Sequence, residues 1–491
     1  MTLQTRIVTL LCISLVGCGG KMTVDAGTGG GGGITGTGGG GGASGGGTGG
    51  GTTGGGTGGG NVDAGVDAGM PMGTSCANAI SANVGDALMG KIDVAGKKVF
   101  YKFTANADVW LDISTTANAM DNMNTLDTAI TLYDATGAMK LASDDDAYPR
   151  LSTDSELFYR VATAGTYCLK IEDWSTWAGE PAVLPATNGY KIDLRAMLAT
   201  ATTNNLDTEA NDMLSAAQTG KFATGMGFAI GTLYGTLGSA TDVDLYKFTV
   251  PTGLDSLTIS LDPLGVPAAP AGSNGYGSGL GRVTVKVLQT SGTVLGAWTV
   301  SSTSVATTPD SINVPVVAGS DLIISIERPT GSTASANDFY VSTILFGTDN
   351  PLEMSDATNA TLAAAEVLPL TVDTTNAKIK KGFILGTIGA ADTDFYSVAV
   401  LANDVVSVAC GALRTGSGLT ATYELQDSAG ATLQNETETA TTDIYWGPGT
   451  SASHPGVTAA TTGNVFFKVT GTQDATNTGN WYRCGIFVTS P

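Results

Sequence analysis

One segment occurs three times at domain-sized spacing, and this limits the fold more than any other feature of the chain. Gly90-Lys91-Ile92 through Phe100-Tyr101-Lys102-Phe103-Thr104 recurs as Gly235-Thr236-Leu237 through Leu245-Tyr246-Lys247-Phe248-Thr249, and again as Gly386-Thr387-Ile388 through Phe395-Tyr396-Ser397-Val398. Solenoid units repeat every few tens of residues, so the intervals from Tyr101 to Tyr246 to Tyr396 mark whole folding units instead.

Each copy continues in the same order. An alternating strand comes first (Val109, Leu111, Ile113; Leu257, Ile259, Leu261; Val406, Val408, Cys410). Next is a strand ending in a Gly turn, at Gly137, Gly292 and Gly430, and last a strand entered through Gly165, Gly319 or Gly463. Short period-two strands with Gly/Asn/Asp turns predict an all-β chain of three tandem antiparallel β-sandwiches, jelly-roll-like, in which paired sheets bury their inner faces. The expected domains are residues 75–202, 203–349 and 350–491. Glu209 to Ala217 and Ala357 to Glu366 are expected to form a turn or two of helix leading into the second and third units.

The order of elements resembles the bacterial pre-peptidase C-terminal domain, a jelly-roll-like sandwich found beside secreted proteases and related to clostridial collagen-binding modules. The first unit carries the resemblance in Leu126 to Asp134, Leu141 to Asp146 and Ala164 to Tyr167. The second carries the leading signature, Glu209-Ala210-Asn211-Asp212 followed by Asp242-Val243-Asp244-Leu245-Tyr246. The third keeps Asp392-Thr393-Asp394-Phe395-Tyr396, whereas the first has Lys97 and Lys98 where the Asp pair would stand. Related collagen-binding modules bind calcium through their leading acidic segment, so the resemblance makes Glu209, Asp212, Asp242 and Asp244 candidate calcium ligands. Alternation independently puts Asp242 and Asp244 on the Tyr246 face, and hard divalent cations favour such oxygens. Asp144-Asp145-Asp146 reads as an exposed turn held by its own backbone hydrogen bonds.

Arg6 and the apolar run Ile7 to Val16 are too short to span a bilayer and read as a cleaved secretory signal, residues 1–17. Its end, Leu15-Val16-Gly17-Cys18, resembles the lipobox of bacterial lipoproteins, which implies a lipid-modified Cys18 as the mature N-terminus. Gly19 after it, in place of the Asp that retains enterobacterial lipoproteins in the inner membrane, leans towards the outer membrane. Residues 18–74 are almost wholly Gly and Thr, and no core can form there because glycine has the most backbone entropy to lose and nothing to bury. As a coil, such a tether reaches roughly 40 Å. A phosphate-cradling loop is excluded because no Gly-Lys-Ser/Thr ends the run.

With Cys12 removed in the signal and Cys18 lipidated, Cys76, Cys168, Cys410 and Cys484 remain, and four cysteines allow three pairings. Proximity favours Cys76–Cys168 and Cys410–Cys484, one bond per domain, as in an oxidising compartment. Alternation turns Cys410 and Cys484 towards a core. Cys168 alternates away from Tyr167, Leu169 and Ile171, so its bond is expected to pin the leading segment to the outside of a sheet.

The net charge of −21 disfavours nucleic acid and anionic lipid, leaving cations, proteins and polysaccharides as partners and the lipid as sole membrane anchor. Catalytic materials are scarce. The single histidine, His454, lies in a Ser/Pro loop, and the chain contains no Gly-x-Ser-x-Gly elbow outside the Gly-rich segment and no His-Glu-x-x-His helix. Trp174 and Trp177 follow the last recognised strand of the first unit, in a loop where rings could stack on sugars or cap the core, and Tyr276 sits in a Gly/Ser loop. The expectation is a non-catalytic surface lipoprotein whose sandwiches bind or organise extracellular protein or polysaccharide. The alternatives are an envelope stalk without a ligand and an undetected hydrolase. An exposed aromatic patch would favour binding, and tight apolar contacts between units would favour the stalk.

Overall fold

Alternating apolar and polar residues resolve into six sheets in a computed structural model, which describes residues 73–117, 126–145, 153–198, 200–261, 277–301, 311–329, 331, 337–348, 359–389, 391–439, 443–447 and 455–491. Cys18, Asp146, Tyr276 and His454 lie outside the described residues. No helix among the described residues is long and apolar enough to cross a membrane.

The sheets pair around three cores. In the first sandwich, a five-stranded sheet is ordered Ile80–Ser81, Val99–Ala105, Gly165–Asp173, Thr128–Asp134, Lys140–Asp144. It shares a core of Tyr101, Phe103, Leu111, Ile113, Leu169 and Ile192 with a sheet of Ala87–Lys91, Gly189–Ala196, Trp110–Thr116 and Glu156–Arg160. The second sandwich repeats this order in Gln218–Thr219, Val243–Thr249, Asp321–Glu327, Arg282–Gln289 and Val294–Ser301, opposite a sheet that includes Phe228–Thr236, Phe339–Gly347 and Ser256–Leu261. The third does so in Glu366–Val367, Asp394–Val400, Gly463–Gln473, Leu419–Gln426 and Thr432–Thr437, opposite Ile379–Thr387, Trp481–Thr489, Val405–Gly411 and Ile444–Trp446.

The repeat extends to irregularities. The two neighbouring strands that end each five-stranded sheet lose register at one equivalent step, Leu132/Tyr133, Val287/Leu288 and Leu425/Gln426. A bulge there sharpens the local twist before the hairpin. The turns that follow use Gly137, Gly292 and Gly430 with φ of 77°, 89° and 83°, a region that a side chain would strain.

The opposite edge of each five-stranded sheet is a two-residue strand running parallel to its neighbour, as in Gln218↔Tyr246 and Glu366↔Tyr396. A single 3₁₀ turn feeds each of these strands: Cys76–Asn78, Leu214–Ala216 and Leu362–Ala364. The helical turns expected over Glu209 to Ala217 and Ala357 to Glu366 are therefore shorter and tighter than anticipated, and residues 357 and 358 lie outside the described set. A helix of that length is marginal alone, and strand pairing to a sheet edge takes over its last residues.

Cys76 and Cys168 are bonded, as are Cys410 and Cys484. Cys410 and Cys484 stand opposite one another on paired strands and belong to the third core. Cys168 is absent from the first core yet fully buried, because the bonded Cys76 turn covers it from the outer side.

Two seams join the sandwiches. Trp110 and Phe158 of the first unit pack with Leu206, Phe339 and Val341 of the second, with Phe158 and Phe339 stacked at 5.5 Å and 9°. Leu385 and Trp481 of the third unit join the second unit's core cluster. Across this second seam Ala297 N donates to Gly416 O at 2.9 Å, Thr478 N to Val294 O at 3.1 Å, and Arg483 Nη2 to Asn313 Oδ1 at 2.8 Å.

Candidate functional site: an acidic cluster beside the first seam

Asp242 immediately precedes the strand Val243–Thr249 and Asp244 lies at its start, two residues before Tyr246, and the chain from Leu206 to Asp212 crosses beside them. The carboxylate oxygens of Glu209, Asp212 and Asp242 all lie within 4.8 Å of one another. Oxygens sharing one calcium at 2.3–2.6 Å are at most about 5 Å apart, so these three fit a single ion. Glu209 and Asp212 are exposed and Asp242 is buried, which leaves the group open on one side.

Asp244 does not join the triad; it turns into the sandwich, where its Oδ2 accepts the Tyr340 hydroxyl at 2.6 Å. The strand's alternation is as expected, but Asp244 sits deeper along it and is fully buried. The sequence reading missed Asp207, a buried carboxylate two residues before Glu209 whose Oδ1 accepts from Asn211 Nδ2 at 3.1 Å. Its signal was faint: one acid in a segment judged by its Glu-x-Asn-Asp pattern. Asn211 Oδ1 and Asp244 Oδ1 are buried and accept no hydrogen bond from the described residues.

The electrostatics follow from crowding. Burial, and then the neighbouring Glu209, push Asp207 up to about 7. Burial and Asp242 raise Glu209, burial raises Asp242, and burial with Asp207 raises Asp244 well above the usual carboxylate range. A bound divalent cation would reverse that pressure by favouring the charged forms. For Asp207 and Glu209, compensating charge comes from the first sandwich. Arg160 Nη1 lies 3.5 Å from Glu209 Oε1 and 3.8 Å from Asp207 Oδ2, while its guanidinium sits 5.3 Å over the Trp110 ring. The cluster thus borders the first seam.

In the other units the equivalent positions differ. Val99 occupies the Asp244 place by register with the central Tyr, and Lys97 and Lys98 are drawn off by Asp93 at 2.7 Å and Glu172 at 3.5 Å. Asp394 accepts from Tyr482 at 2.6 Å, as Asp244 does from Tyr340. Asp144 and Asp145 are buried at the end of the strand Lys140–Asp144, not in an exposed turn, because the ladder continues to Asp144, which pairs with Ile130.

Trp174 and Trp177 lie in a single α-helical turn, Trp174–Trp177, not in a loop. Asp173 caps it by accepting from Ser175 N at 3.0 Å, which explains why helix prevails over so short a span. Trp174 is 40% exposed and Trp177 half-buried, and neither enters the first core.

No family model matches this chain, and no curated protein does. Among solved structures it is similar to tripeptidyl peptidase 2, at 10% identity and a TM-score of 0.19, with 79% of this chain and 33% of that chain covered. The CUB1-EGF-CUB2 domains of rat MASP-1 match at 9% identity and TM-score 0.15, covering 54% of this chain and 99% of that one. Tandem CBM51 modules of a family 98 glycoside hydrolase from Streptococcus pneumoniae match at 10% identity and TM-score 0.16, covering 54% and 84%. This chain spans about a third of the length of the peptidase.

Proposed function

We propose that the chain is a non-catalytic surface lipoprotein, tethered through Cys18 and its Gly-rich segment, whose three sandwiches bind or organise extracellular protein or polysaccharide. The exposed rings of Trp174, Phe383 and Tyr445 carry this reading, which the two apolar seams then serve. The seams hold three sandwiches at fixed spacing, and such a body engages a polymer at several points with a gain in avidity that independent domains on linkers would lose. The two disulfides accord with an extracytoplasmic site of action. Calcium at Glu209, Asp212 and Asp242 would neutralise the acidic cluster and brace the first seam.

The same seams favour a second reading, an envelope stalk with no ligand of its own. Glycan arrays and collagen pulldowns, each with and without calcium, separate the two. Retention on either support is the expected result. Blank results on both, with the protein folded, would overturn binding in favour of the stalk.

A further inference from the structure

The outer face of the third sandwich's six-stranded sheet carries an aromatic platform next to the second seam. Strand register places Phe383, Gly485, Ala409 and Tyr445 in one row across four adjacent strands. All four alternate away from the core residues Ile384, Cys484, Ile486, Val408, Cys410 and Ile444. Phe383 is 41% exposed and Tyr445 46% exposed. Phe487, in the next row opposite Lys381 and Ser407, meets Phe383 edge-on at 6.2 Å. A Cβ on Gly485 would lie 3.1 Å from the Phe487 ring and 3.5 Å from the Phe383 ring, so the absent side chain lets both rings lie down over the sheet. Three interstrand steps separate Phe383 from Tyr445, about 14 Å, with only Gly485 and Ala409 between them.

The row on the other side, Leu385, Arg483 and Gly411, is already engaged. Leu385 enters the second sandwich's cluster and Arg483 donates to Asn313, so the platform is continuous with the seam and bounded by its polar rim. The cations around it are held: Lys381 by Asp373 at 2.9 Å, Arg414 by Asp443 at 2.8 Å, and Arg483 by Asn313 at 2.8 Å and over the Trp481 ring at 5.7 Å. Exposed rings separated by small residues, with Lys381, Arg414 and Arg483 beside them held by partners and a chain of net charge −21 behind them, suit an uncharged chain of rings with apolar faces and hydroxyl edges. An apolar protein partner would instead call for a contiguous patch without the intervening flat floor.

We infer that this platform is a binding site for neutral polysaccharide, in which pyranose faces stack on Phe383 and Tyr445 while the seam's polar rim meets the hydroxyl groups. This rests on the binding reading above and names its ligand class and location. The test is affinity electrophoresis of the full chain in gels containing hydroxyethyl cellulose, xyloglucan, galactomannan or polygalacturonate, with gelatin as the protein probe. Retardation by at least one neutral polysaccharide is expected, weakened at least ten-fold in the Phe383→Ala/Tyr445→Ala variant and kept in Phe383→Tyr and in Val317→Ala, a change at an exposed apolar residue of the second sandwich. Both substituted side chains are exposed, and an unchanged circular dichroism spectrum checks the fold. No retardation by any neutral polysaccharide, or equal retardation of the double variant, overturns the platform. In the second case, or if gelatin alone binds, the broader binding reading survives; retardation by polygalacturonate alone would refute the neutral ligand.

Discussion

Tyr340 donates its hydroxyl to Asp244 Oδ2 at 2.6 Å and lies 2.7 Å from the Tyr246 hydroxyl, forming a buried chain of three polar groups between the two sheets of the second sandwich. The third sandwich repeats it with Tyr396, Tyr482 and Asp394. The first keeps only the tyrosines, Tyr101 and Tyr190 at 3.1 Å, with Val99 in place of the acid. In all three the second tyrosine lies over a glycine, Gly90, Gly235 or Gly386, where a Cβ would collide with the ring. The sequence repeat that opens each unit is therefore the trace of one buried contact between sheets.

Tyr340→Phe strands Asp244 without its donor, so we expect a loss of about 1–3 kcal/mol, whereas Tyr190→Phe, with no acid to strand, costs about 1 kcal/mol or less. Calorimetry on both variants checks the ordering. Equal losses would mean that Asp244 takes no stabilisation from the hydroxyl.

The central Tyr and the paired Gly were legible because both recur at fixed offsets in a strand pattern, and the cysteine pairings because proximity along the chain puts one bond in each of two units. The burial of Asp244 was not. Period two gives its face but not its depth, which depends on the opposite sheet that supplies Tyr340 from 96 residues away. Asp207 and Arg160 were likewise hidden, since their approach depends on how one sandwich packs on the next. Phe383, Phe487 and Tyr445 form a platform only through strand order, which no local pattern encodes.

Phe339 stacks on Phe158 and meets Trp110 edge-on at 5.5 Å across the first seam. Phe339→Ala should cost about 3–5 kcal/mol. It should also open the link between the first two sandwiches to limited proteolysis near residues 197–203, with cleavage detected by mass spectrometry. An uncut link with full loss of stability would place the residue's contribution within the second sandwich alone.

Arg160 faces Glu209 and Asp207 from the neighbouring sandwich. In Arg160→Ala the acids lose their only compensation from that side, so the melting temperature without calcium should fall. The rise on adding calcium should exceed that of the unmodified protein, because the ion then neutralises charge that the guanidinium no longer screens. Glu209→Gln/Asp242→Asn should abolish the rise in either background. A calcium response indifferent to Glu209 and Asp242 would remove them as ligands.

Reduction of Cys410–Cys484 should destabilise the third sandwich. The bond closes a loop of sequence separation 74, for which chain entropy gives about 4 kcal/mol. Cys410→Ala/Cys484→Ala is expected to lower the melting transition of that unit and leave the Cys76–Cys168 unit unchanged, resolved by hydrogen exchange on peptides from each core. Uniform loss of protection in all three cores would instead show that the seams make unfolding cooperative throughout.

Glu438 sets a pH dependence in the third sandwich. Burial pushes its carboxyl up to about 7, although both oxygens accept the Ala412 N–H at 2.9 Å. In the unfolded chain it titrates near 4.5, so between these values the folded state binds the extra proton and stability falls as pH rises. The contribution is complete below about pH 4.5 and gone above about pH 7, a swing on the order of 3 kcal/mol. Glu438→Gln keeps an acceptor for Ala412 but cannot ionise, so its stability relative to the unmodified protein should improve steadily from pH 5 to pH 8 in urea titrations. A difference that stays constant with pH would mean that Glu438 titrates in the folded chain as it does in the unfolded one.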